Sequence, residues 1–562
     1  MTRWGQRLLL AGGVLAFLPG LPRAYYTPKS LACAGGLALA WLSLRRARRA
    51  PLTLPLLALL AACAISAAQG LDPGQSFWGD ANQAYYGLLQ LSLYALAYAL
   101  GASVDDDLVD DGLAALGVAG AVCGALALAQ AAGLVPPPWG VVSGRAIGPT
   151  GNPVFFGAVA ALMLGPALRL GSLKGPRTLI PAAGALALAL SRARGAWLAG
   201  AAAAAVWLAG SGRLKAGRRV VFAVLAVLAA AALGGALLLG GPNKSVSDIQ
   251  RVEIWRAAAQ AFADRPLLGV GPDNFMLVMR RRMSPRFVAA AHSPGMGDSS
   301  AHNDLLQAAA TTGALGTLAY LWLWGALAWA VWRGLREGRG ERAAAAAAGL
   351  AAAFVAAKVN PLPLEACAAA AWLAGAAAPR GERGASWSGP SLAAASLGVL
   401  ACFAALAAAE DLSVGARAAL ARGRFQEAVD DGTLAATLTP GRLGSRQAQL
   451  QIWAVAAQSL PPERGAPLAR RGLALAAQTA RAHPGNPLAH EIAGTMAMVV
   501  ALVAKDTSVL PEGLRELERA STLDPHHPYP VRRRMEIYGQ LGDKDAQARE
   551  QKRLDELDAA TR

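Results

Sequence analysis

The stretch His302-Asn303-Asp304-Leu305-Leu306-Gln307 marks the point where a polar, arginine-rich segment gives way to an apolar run that reaches Trp332. The run is long enough to cross a bilayer, which takes roughly 20 residues of helix. A histidine and an amide are costly to place at the mouth of such a helix without a function. The stretch therefore predicts a membrane helix that begins beside a candidate chemical site.

The composition assigns the chain to the multi-spanning membrane proteins. Of its 562 residues, 54% are hydrophobic and 16% are charged, and the mean hydropathy is +0.35; a soluble protein of this length would carry more charge. The five cysteines lie inside apolar runs without metal-ligand spacing, so no metal site is predicted. The net charge of +17 does not indicate nucleic acid, because the basic residues cluster between apolar runs, as in cytoplasmic loops. The clusters are 45–49, 174–177, 213–219, 333–342 and 380–383.

Thirteen apolar runs have about the length of a membrane-spanning helix. With the N-terminus inside, every basic cluster falls on the inner side, and the C-terminal part falls outside, in the periplasm or its equivalent. Residues 1–21 are like a signal peptide, but no cleavage site followed by a soluble domain appears, so they are predicted to stay as the first helix. The runs are 7–22, 28–44, 52–69, 83–101, 112–132, 153–171, 178–191, 195–210, 220–240, 304–332, 343–358, 363–378 and 390–409.

Residues 410–562 have a different character, with more charge and amphipathic helical patterns. Pro440, Pro484 and Pro525 each follow a helical stretch, and their regular spacing resembles divergent tetratricopeptide-type repeats, which stack helix pairs into a concave surface. A plain helical bundle is the alternative. The sequence therefore predicts an all-α chain, with a polytopic membrane bundle over residues 1–409 and an extracytoplasmic α-helical repeat domain over residues 410–562. Such repeats could take a protein partner.

The largest predicted outer loop, residues 242–303, is more basic than loops on the outer side of a membrane usually are. It holds eight Lys or Arg residues against five acidic residues, whereas basic residues normally gather on the inner side. An anionic ligand would account for the excess. Arg251 begins an amphipathic stretch with Trp255 one turn later; we assign ligand binding to Arg251 and an interfacial position to Arg256.

Two further arginines are candidates for the same anion. Arg192 follows a predicted membrane helix, in the turn Ser191-Arg192-Ala193-Arg194-Gly195, and its planar guanidinium suits phosphate oxygens. Arg145 precedes the segment Gly148-Pro149-Thr150-Gly151-Asn152-Pro153, whose glycines and prolines predict a fixed irregular backbone. An interfacial position for Arg192 and an exposed loop position for Arg145 are equally good interpretations.

His302 is the candidate general base, because an imidazole titrates near neutral pH. Asn303 could orient His302 or bind a sugar hydroxyl. The alternative for both is helix capping by polar residues at the start of the span. We favour the catalytic interpretation of His302, one of two histidines in the membrane half.

The order of these residues resembles the O-antigen ligase/polymerase (Wzy-C) family over about residues 70–335. The most specific part is 251–316. There, an R-P-L-L-G-V-G-P-x-N-F segment that begins at Arg265 is followed by an H-N-x-L-L-Q segment that begins at His302. Residues 285–301 match no motif of the family.

The resemblance implies an inverting, metal-independent glycosyltransferase with a GT-C-like helical fold and no cofactor. The donor would be a glycan on undecaprenyl pyrophosphate, in a membrane-lipid environment. The acceptor would be a hydroxyl of the lipid A core, of a growing glycan or of a protein. Arg192 and Arg251 would hold the pyrophosphate, and His302 would activate the acceptor hydroxyl. The other substrate-binding candidates are Arg145, Asn152, Arg194, Trp255, Asn303 and Gln307.

Related activities stay open at this stage. An O-antigen ligase, an O-antigen or exopolysaccharide polymerase and a protein O-oligosaccharyltransferase would share these residues. A transporter of lipid-linked sugars is the alternative from another class. It would need polar residues at mid-membrane positions, whereas polarity gathers at the outer ends of the predicted spans, as at Lys358 and Glu365.

Overall fold

The chain is almost entirely helical, which confirms the all-α prediction. A computed structural model describes residues 1–48, 50–80, 86–136, 138–171, 175–212, 246–284, 287–288, 299–336, 340–378 and 387–559. The strands within these residues are two residues long. They are β1 (Arg46–Ala47), β2 (Val141–Val142), β3 (Arg145–Ala146) and β4 (Trp387–Ser388), and β1 pairs with β4 and β2 with β3, both antiparallel.

All but the first of the predicted spans coincide with helices where the structure describes them, whereas 220–240 lies outside the described residues. The first is shifted: its helical segment ends at Leu15, and Ala16 is extended, with ψ of 121°. The helices are α1 (Thr2–Arg7), a π-helical turn (Leu8–Gly12), α2 (Gly13–Leu15), α3 (Thr27–Trp41), α4 (Thr53–Gln69), α5 (Pro73–Trp78), α6 (Leu88–Ser103), α7 (Asp106–Ala131), α8 (Pro153–Leu170), α9 (Leu179–Leu190), α10 (Arg194–Gly210), α11 (Val246–Asp264), α12 (Phe275–Arg282), α13 (Asp304–Arg336), α14 (Gly340–Ala357), α15 (Leu364–Ala377) and α16 (Gly389–Ala421).

Length and composition allow five of the described helices to cross a membrane, namely α7, α8, α13, α14 and α16. Shorter apolar helices accompany them, among them α4, α6 and α15. The chain is therefore a polytopic membrane protein. Small residues let these helices approach closely: a Cβ on Gly101 of α6 would lie 2.1 Å from the carbonyl oxygen of Trp372 on α15.

At one end of the bundle, arginines from four segments reach the acidic residues around the start of α7. We call this the α7 end. It gathers residues that the topology prediction placed on the inner side. The pairs are Arg7–Asp111 at 3.0 Å, Arg48–Asp105 at 2.8 Å, Arg169–Asp110 at 2.7 Å and Arg342–Asp110 at 2.6 Å.

α13 is broken near its start, at Gly313, where φ is 62° and ψ is −161°, a conformation suited to glycine. The preceding loop hydrogen-bonds to both sides of the break. Val270 donates to the carbonyl of Ala310 at 3.1 Å, and Ala314 donates to the carbonyl of Pro266 at 2.7 Å. The R-P-L-L-G-V-G segment and the helix that follows His302 therefore form one structural unit.

The helix of the last predicted span continues past residue 409 to Ala421 and leads into a series of antiparallel helices. Three turns in this series share a backbone geometry: Thr439, His483 and Asp524 each precede a proline, with φ between −135° and −126° and ψ between 58° and 81°. The tetratricopeptide-type repeats stay a prediction. The helices are α17 (Phe425–Leu438), α18 (Leu443–Ser459), α19 (Pro462–Ala482), α20 (Pro487–Val503), α21 (Leu510–Leu523), α22 (Pro528–Leu541) and α23 (Lys544–Ala559).

All three turns contact the membrane region at the end opposite the α7 end, which we call the repeat end. Asp72, fully buried, receives two hydrogen bonds from the second turn. The polar contacts are Trp78 Nε1 to the Pro440 carbonyl at 2.8 Å, His483 Nδ1 and Asn486 Nδ2 to Asp72 at 2.9 Å each, and Arg280 to Asp524 at 3.6 Å. The C-terminal helices are thus packed onto the bundle by buried polar groups.

Candidate active site

Arg192 lies in the sharp turn between α9 and α10, at the repeat end. Its φ is 48°, a left-handed conformation that is uncommon for arginine. Two hydrogen bonds fix the turn: Arg192 N–H donates to the Ala189 carbonyl at 3.1 Å, and Ala193 N–H donates to Ser191 Oγ at 3.3 Å. The turn leaves the side chains of Arg192 and Arg194 exposed.

Arg145, on the β2–β3 hairpin, lies beside this turn. Its Nε donates to the carbonyl of Ser191 at 3.0 Å. A Cβ on Gly144 would lie 3.7 Å from Nη1 of Arg192, so the two arginines share one corner. Partial burial lowers the pKa of Arg145, but a guanidinium stays charged in proteins. Among the described residues, no carboxylate lies within ion-pair distance of Arg145, Arg192 or Arg194, and this excess of positive charge favours an anion.

His302 directly precedes α13 and has a φ of 50°. Its N–H donates to Ser300 Oγ at 3.0 Å, and its Nδ1 lies 3.3 Å from Oδ1 of Asn360. An amide oxygen only accepts hydrogen bonds, so this contact suits a ring protonated at Nδ1, in which Nε2 is the basic nitrogen.

Asn360, in the connection between α14 and α15, joins the histidine to the arginine turn. A Cβ on Gly195 would lie 3.6 Å from Nδ2 of Asn360 and 2.6 Å from Cγ2 of Val359. Only a residue without a side chain lets α10 begin this close to the connection. One amide is thus 3.3 Å from His302 and lies close to Gly195, in the segment that carries Arg192.

Sequence reasoning missed Asn360. A polar residue in a short connection between two apolar runs, close to Lys358, was the available signal. The connection falls far from His302 along the chain, and one sequence cannot show which loops meet.

The backbone just before His302 is held by two predicted site residues. Trp255 Nε1 on α11 donates to the carbonyl of Ala301 at 3.1 Å, and Ala301 N–H donates to Oε1 of the buried Gln307 at 2.7 Å. In the structure both side chains act on the protein backbone. They therefore position His302.

Arg251 lies one helical turn before Trp255 on α11. Residues four apart share a face of a helix, so Arg251 is on the side of α11 that contacts the His302 segment. It is half-buried, and no carboxylate of the described residues forms an ion pair with it. The structure therefore brings α11, the arginine turn and His302 to the same end of the bundle.

Asn303 and Asn152 each cap a helix, α13 and α8 respectively. For Asn303, capping is the alternative interpretation that the sequence left open. Asn303 Oδ1 accepts from the N–H groups of Leu305 and Leu306 at 3.0 and 3.1 Å, and its Nδ2 donates to the Lys358 carbonyl at 3.3 Å. Asn152 Oδ1 accepts from Val154 N–H at 2.8 Å. Both amides therefore have structural partners.

Asp304 and Lys358 form an ion pair beneath the histidine. Lys358 Nζ lies 2.6 Å from Asp304 Oδ1 and 4.4 Å from the ring centre of Phe354, and Tyr320 donates its hydroxyl to Asp304. The lysine is thereby neutralised. The positive charge that faces a ligand comes from the arginines.

Comparison with known proteins supports the same assignment. Residues 179–321 match the family model described as O-antigen ligase. They include the arginine turn, α11 and the start of α13. No curated protein matches the chain. Over this segment, the chain is similar to the O-antigen ligase (Wzy-C) family, whose members are glycosyltransferase-like enzymes.

Proposed function

We propose that this protein transfers a glycan from undecaprenyl pyrophosphate to an acceptor hydroxyl at the outer face of the bacterial inner membrane. The observation that carries the proposal is the proximity of the arginine turn and His302 to one amide, that of Asn360. It supports a site in which an imidazole and guanidinium groups without a carboxylate partner among the described residues share one mouth of a membrane bundle.

An apolar cleft of about 200 Å³ supports a polyprenyl donor. It lies between α4, α6, α13, α14 and α15, and its polar end reaches Asp304 and Tyr320, next to the His302 segment. An isoprenoid chain in this cleft would leave its pyrophosphate at the repeat end of the bundle, near the arginines. The remaining lining is largely leucine and aromatic, including Leu56, Leu60 and Trp324.

The arginines would bind the pyrophosphate and stabilise the charge that grows on it. As the bond between the anomeric carbon and the phosphate oxygen breaks, the electron pair moves onto the leaving pyrophosphate. Arg192 and Arg251, assisted by Arg145 and Arg194, provide fixed positive charge there, and preorganised charge of this kind is worth most in the transition state.

His302 would take the acceptor proton. The acceptor oxygen forms a bond to the anomeric carbon from the face opposite the pyrophosphate, and its proton passes to Nε2. Attack from that face inverts the anomeric centre. Asn360 would orient the ring by accepting a hydrogen bond from Nδ1, which would leave Nε2 to take the proton.

The test uses purified protein in vesicles that contain a glycan on undecaprenyl pyrophosphate. Lipid A core, free glycan and a Ser/Thr-containing peptide are offered separately, since product on each would identify a ligase, a polymerase or a protein oligosaccharyltransferase. We expect product with one acceptor. His302→Ala should lower the rate about 10²–10⁴-fold, and Arg192→Ala and Arg251→Ala about 10²–10³-fold each.

Arg256→Ala is the matched control, because Arg256 is on the same helix as Arg251 and is exposed. It should keep the wild-type rate. Product from none of the acceptors, or a rate within twofold of wild type for all three site variants, would overturn the proposal.

A further inference from the structure

A second apolar groove lies on the other side of α4, between α4, α6 and α16. Its volume is about 430 Å³, and it extends from Ala47 and Arg48 near the α7 end to Phe77 and Leu89 towards the repeat end. The two clefts share Leu56, Leu60 and Tyr98 in their walls, but this groove does not reach His302 or the arginine turn. Its occupant is therefore independent of the proposed function.

The groove is open because small residues line α6 and α16. Ala95 and Ala99 on α6 oppose Ala395 and Gly398 on α16. A Cβ on Gly398 would meet no heavy atom within 4 Å. A larger side chain at this position would therefore enter empty space instead of clashing with a neighbour.

The occupant must be apolar along its length, because the polar groups in the walls already have partners. Ser92 Oγ donates to the Leu88 carbonyl at 2.7 Å, and Tyr98 accepts a hydrogen bond from the Leu52 N–H at 3.2 Å. Apart from Arg48, Thr53, Phe77 and Cys402, the remaining lining is aliphatic. A polar ligand would lose its water without gaining hydrogen bonds.

The length of the groove matches one leaflet of a membrane. Leu89 and Ala99 on α6, and Leu392 and Cys402 on α16, bound it at its two ends. Each pair is separated by ten residues, or about 15 Å at the rise of an α-helix. Half of the roughly 30 Å hydrocarbon core is about the same distance, so one acyl chain would fill the groove from the α7 end.

The mouth at the α7 end is basic. Arg48 lines it, and pairing of β1 with β4 holds Arg46 opposite Ser388, at the start of α16. Arg45 and Arg46 are exposed, and no described carboxylate pairs with them. Arg48 pairs with Asp105, itself 77% exposed, and such pairs are weak enough for a phosphate to compete.

We propose that this groove binds an anionic phospholipid of the leaflet at the α7 end, with one acyl chain between α6 and α16 and the phosphate at Arg45, Arg46 and Arg48. The apolar walls exclude a polar ligand, and the three guanidinium groups favour an anionic headgroup over a zwitterionic one. Such a lipid would fill the space that the small residues leave open.

The first experiment fills the groove. Delipidated protein in detergent receives phosphatidylglycerol or phosphatidylcholine with identical acyl chains, and native mass spectrometry counts the lipids retained. We expect wild type to retain one phosphatidylglycerol at least fivefold better than phosphatidylcholine, and Gly398→Phe to lose that lipid. Gly325→Phe is the matched control, since Gly325 on α13 is also a glycine with open space around its Cβ.

The second experiment removes the positive charge at the mouth of the groove. It tests the proposal even if Gly398→Phe cannot be purified. In the triple variant Arg45→Gln, Arg46→Gln, Arg48→Gln, the two lipids should bind alike. Equal retention of both lipids by wild type, unchanged preference in the triple variant, or undiminished phosphatidylglycerol binding by Gly398→Phe would each overturn the proposal. So would conversion of a dimer to a monomer by Gly398→Phe, because a second copy would then occupy the groove.

Discussion

The two ends of the helix bundle both carry arginines but use them differently. At the α7 end, the arginines that reach the start of α7 are paired with its acidic residues, as Arg169 and Arg342 are with Asp110. At the repeat end, Arg192, Arg194 and Arg251 have no carboxylate of the described residues within ion-pair distance. Pairing at the α7 end stabilises the fold, whereas the unpaired charge at the repeat end is available to a ligand.

This contrast separates stability from activity. A guanidinium that is already paired with a carboxylate attracts a substrate phosphate only weakly, because the carboxylate neutralises most of its charge. One that is held by backbone geometry alone keeps its charge for the ligand. Substitutions at the two ends should therefore change different measured quantities.

The largest expected effect is on activity at the repeat end. Arg192→Ala should lower the transfer rate about 10²–10³-fold and leave the thermal midpoint unchanged, because the side chain is exposed. Arg169→Ala is the opposite case: it should lower stability by about 1 kcal/mol and leave the rate within twofold. An equal loss of rate in both variants would break the contrast.

A second effect concerns how the C-terminal helices are held at the repeat end. Asp72→Ala should reduce the free energy of unfolding by about 3 kcal/mol, because His483 and Asn486 lose their buried partner. The measurement is thermal unfolding combined with limited proteolysis of the C-terminal helices. Asp411→Ala, at an exposed helix position, is the control, and equal unfolding of the two variants would show that Asp72 is not a contact that holds the helices.

The helix boundaries could largely be predicted from the sequence, because an apolar run of membrane-spanning length has few other structures open to it. The turn at Arg192 and the start of α13 at Asp304 were both placed within a residue or two. The break at Gly313 and the backbone hydrogen bonds that flank it, from Ala314 to Pro266 and from Val270 to Ala310, were not predictable. They depend on contact between two segments that are far apart along the chain. The sequence showed only that both segments belong to the same family motif.

The contacts at the repeat end were also beyond the sequence. Glu410 was expected to open a separate domain, yet α16 runs through it, and Arg442 of the C-terminal helices lies 3.2 Å from its carboxylate. Asn360 has no motif of its own. Amides and carboxylates recruited across the fold leave no periodic signal, so only the three-dimensional structure identifies them.

A third effect would sharpen the role of Asn360. Asn360→Asp places a negative charge beside His302, which raises the pKa of the imidazole. The unprotonated base then predominates only at higher pH, so the acidic limb of the pH–rate profile should move up by about one unit or more. Asn360→Leu, which removes the acceptor without adding charge, should lower the rate without this shift. Identical pH–rate profiles for Asn360→Asp and wild type would show that Asn360 does not influence the imidazole of His302.

The smallest effect is a pH dependence at the third turn. Burial raises the pKa of Asp524, and the nearby Arg280 only partly opposes it. The folded state thus binds a proton more tightly than the unfolded state, so the stability from this group is fully present below the ordinary aspartate value near 4 and is lost as pH rises through the raised value. Asp524→Asn should flatten this slope in unfolding measurements, and an unchanged slope would assign it to other groups.

The most direct test of the central claim is the side of the membrane from which the site residues are reached. In intact cells, a membrane-impermeant maleimide should label Arg192→Cys, Arg251→Cys and His302→Cys before lysis, and Arg169→Cys at the α7 end only after lysis. We expect the first three variants to behave alike. Labelling of Arg192→Cys and His302→Cys from opposite sides would contradict it, because one cleft could not then hold both the pyrophosphate and the acceptor hydroxyl.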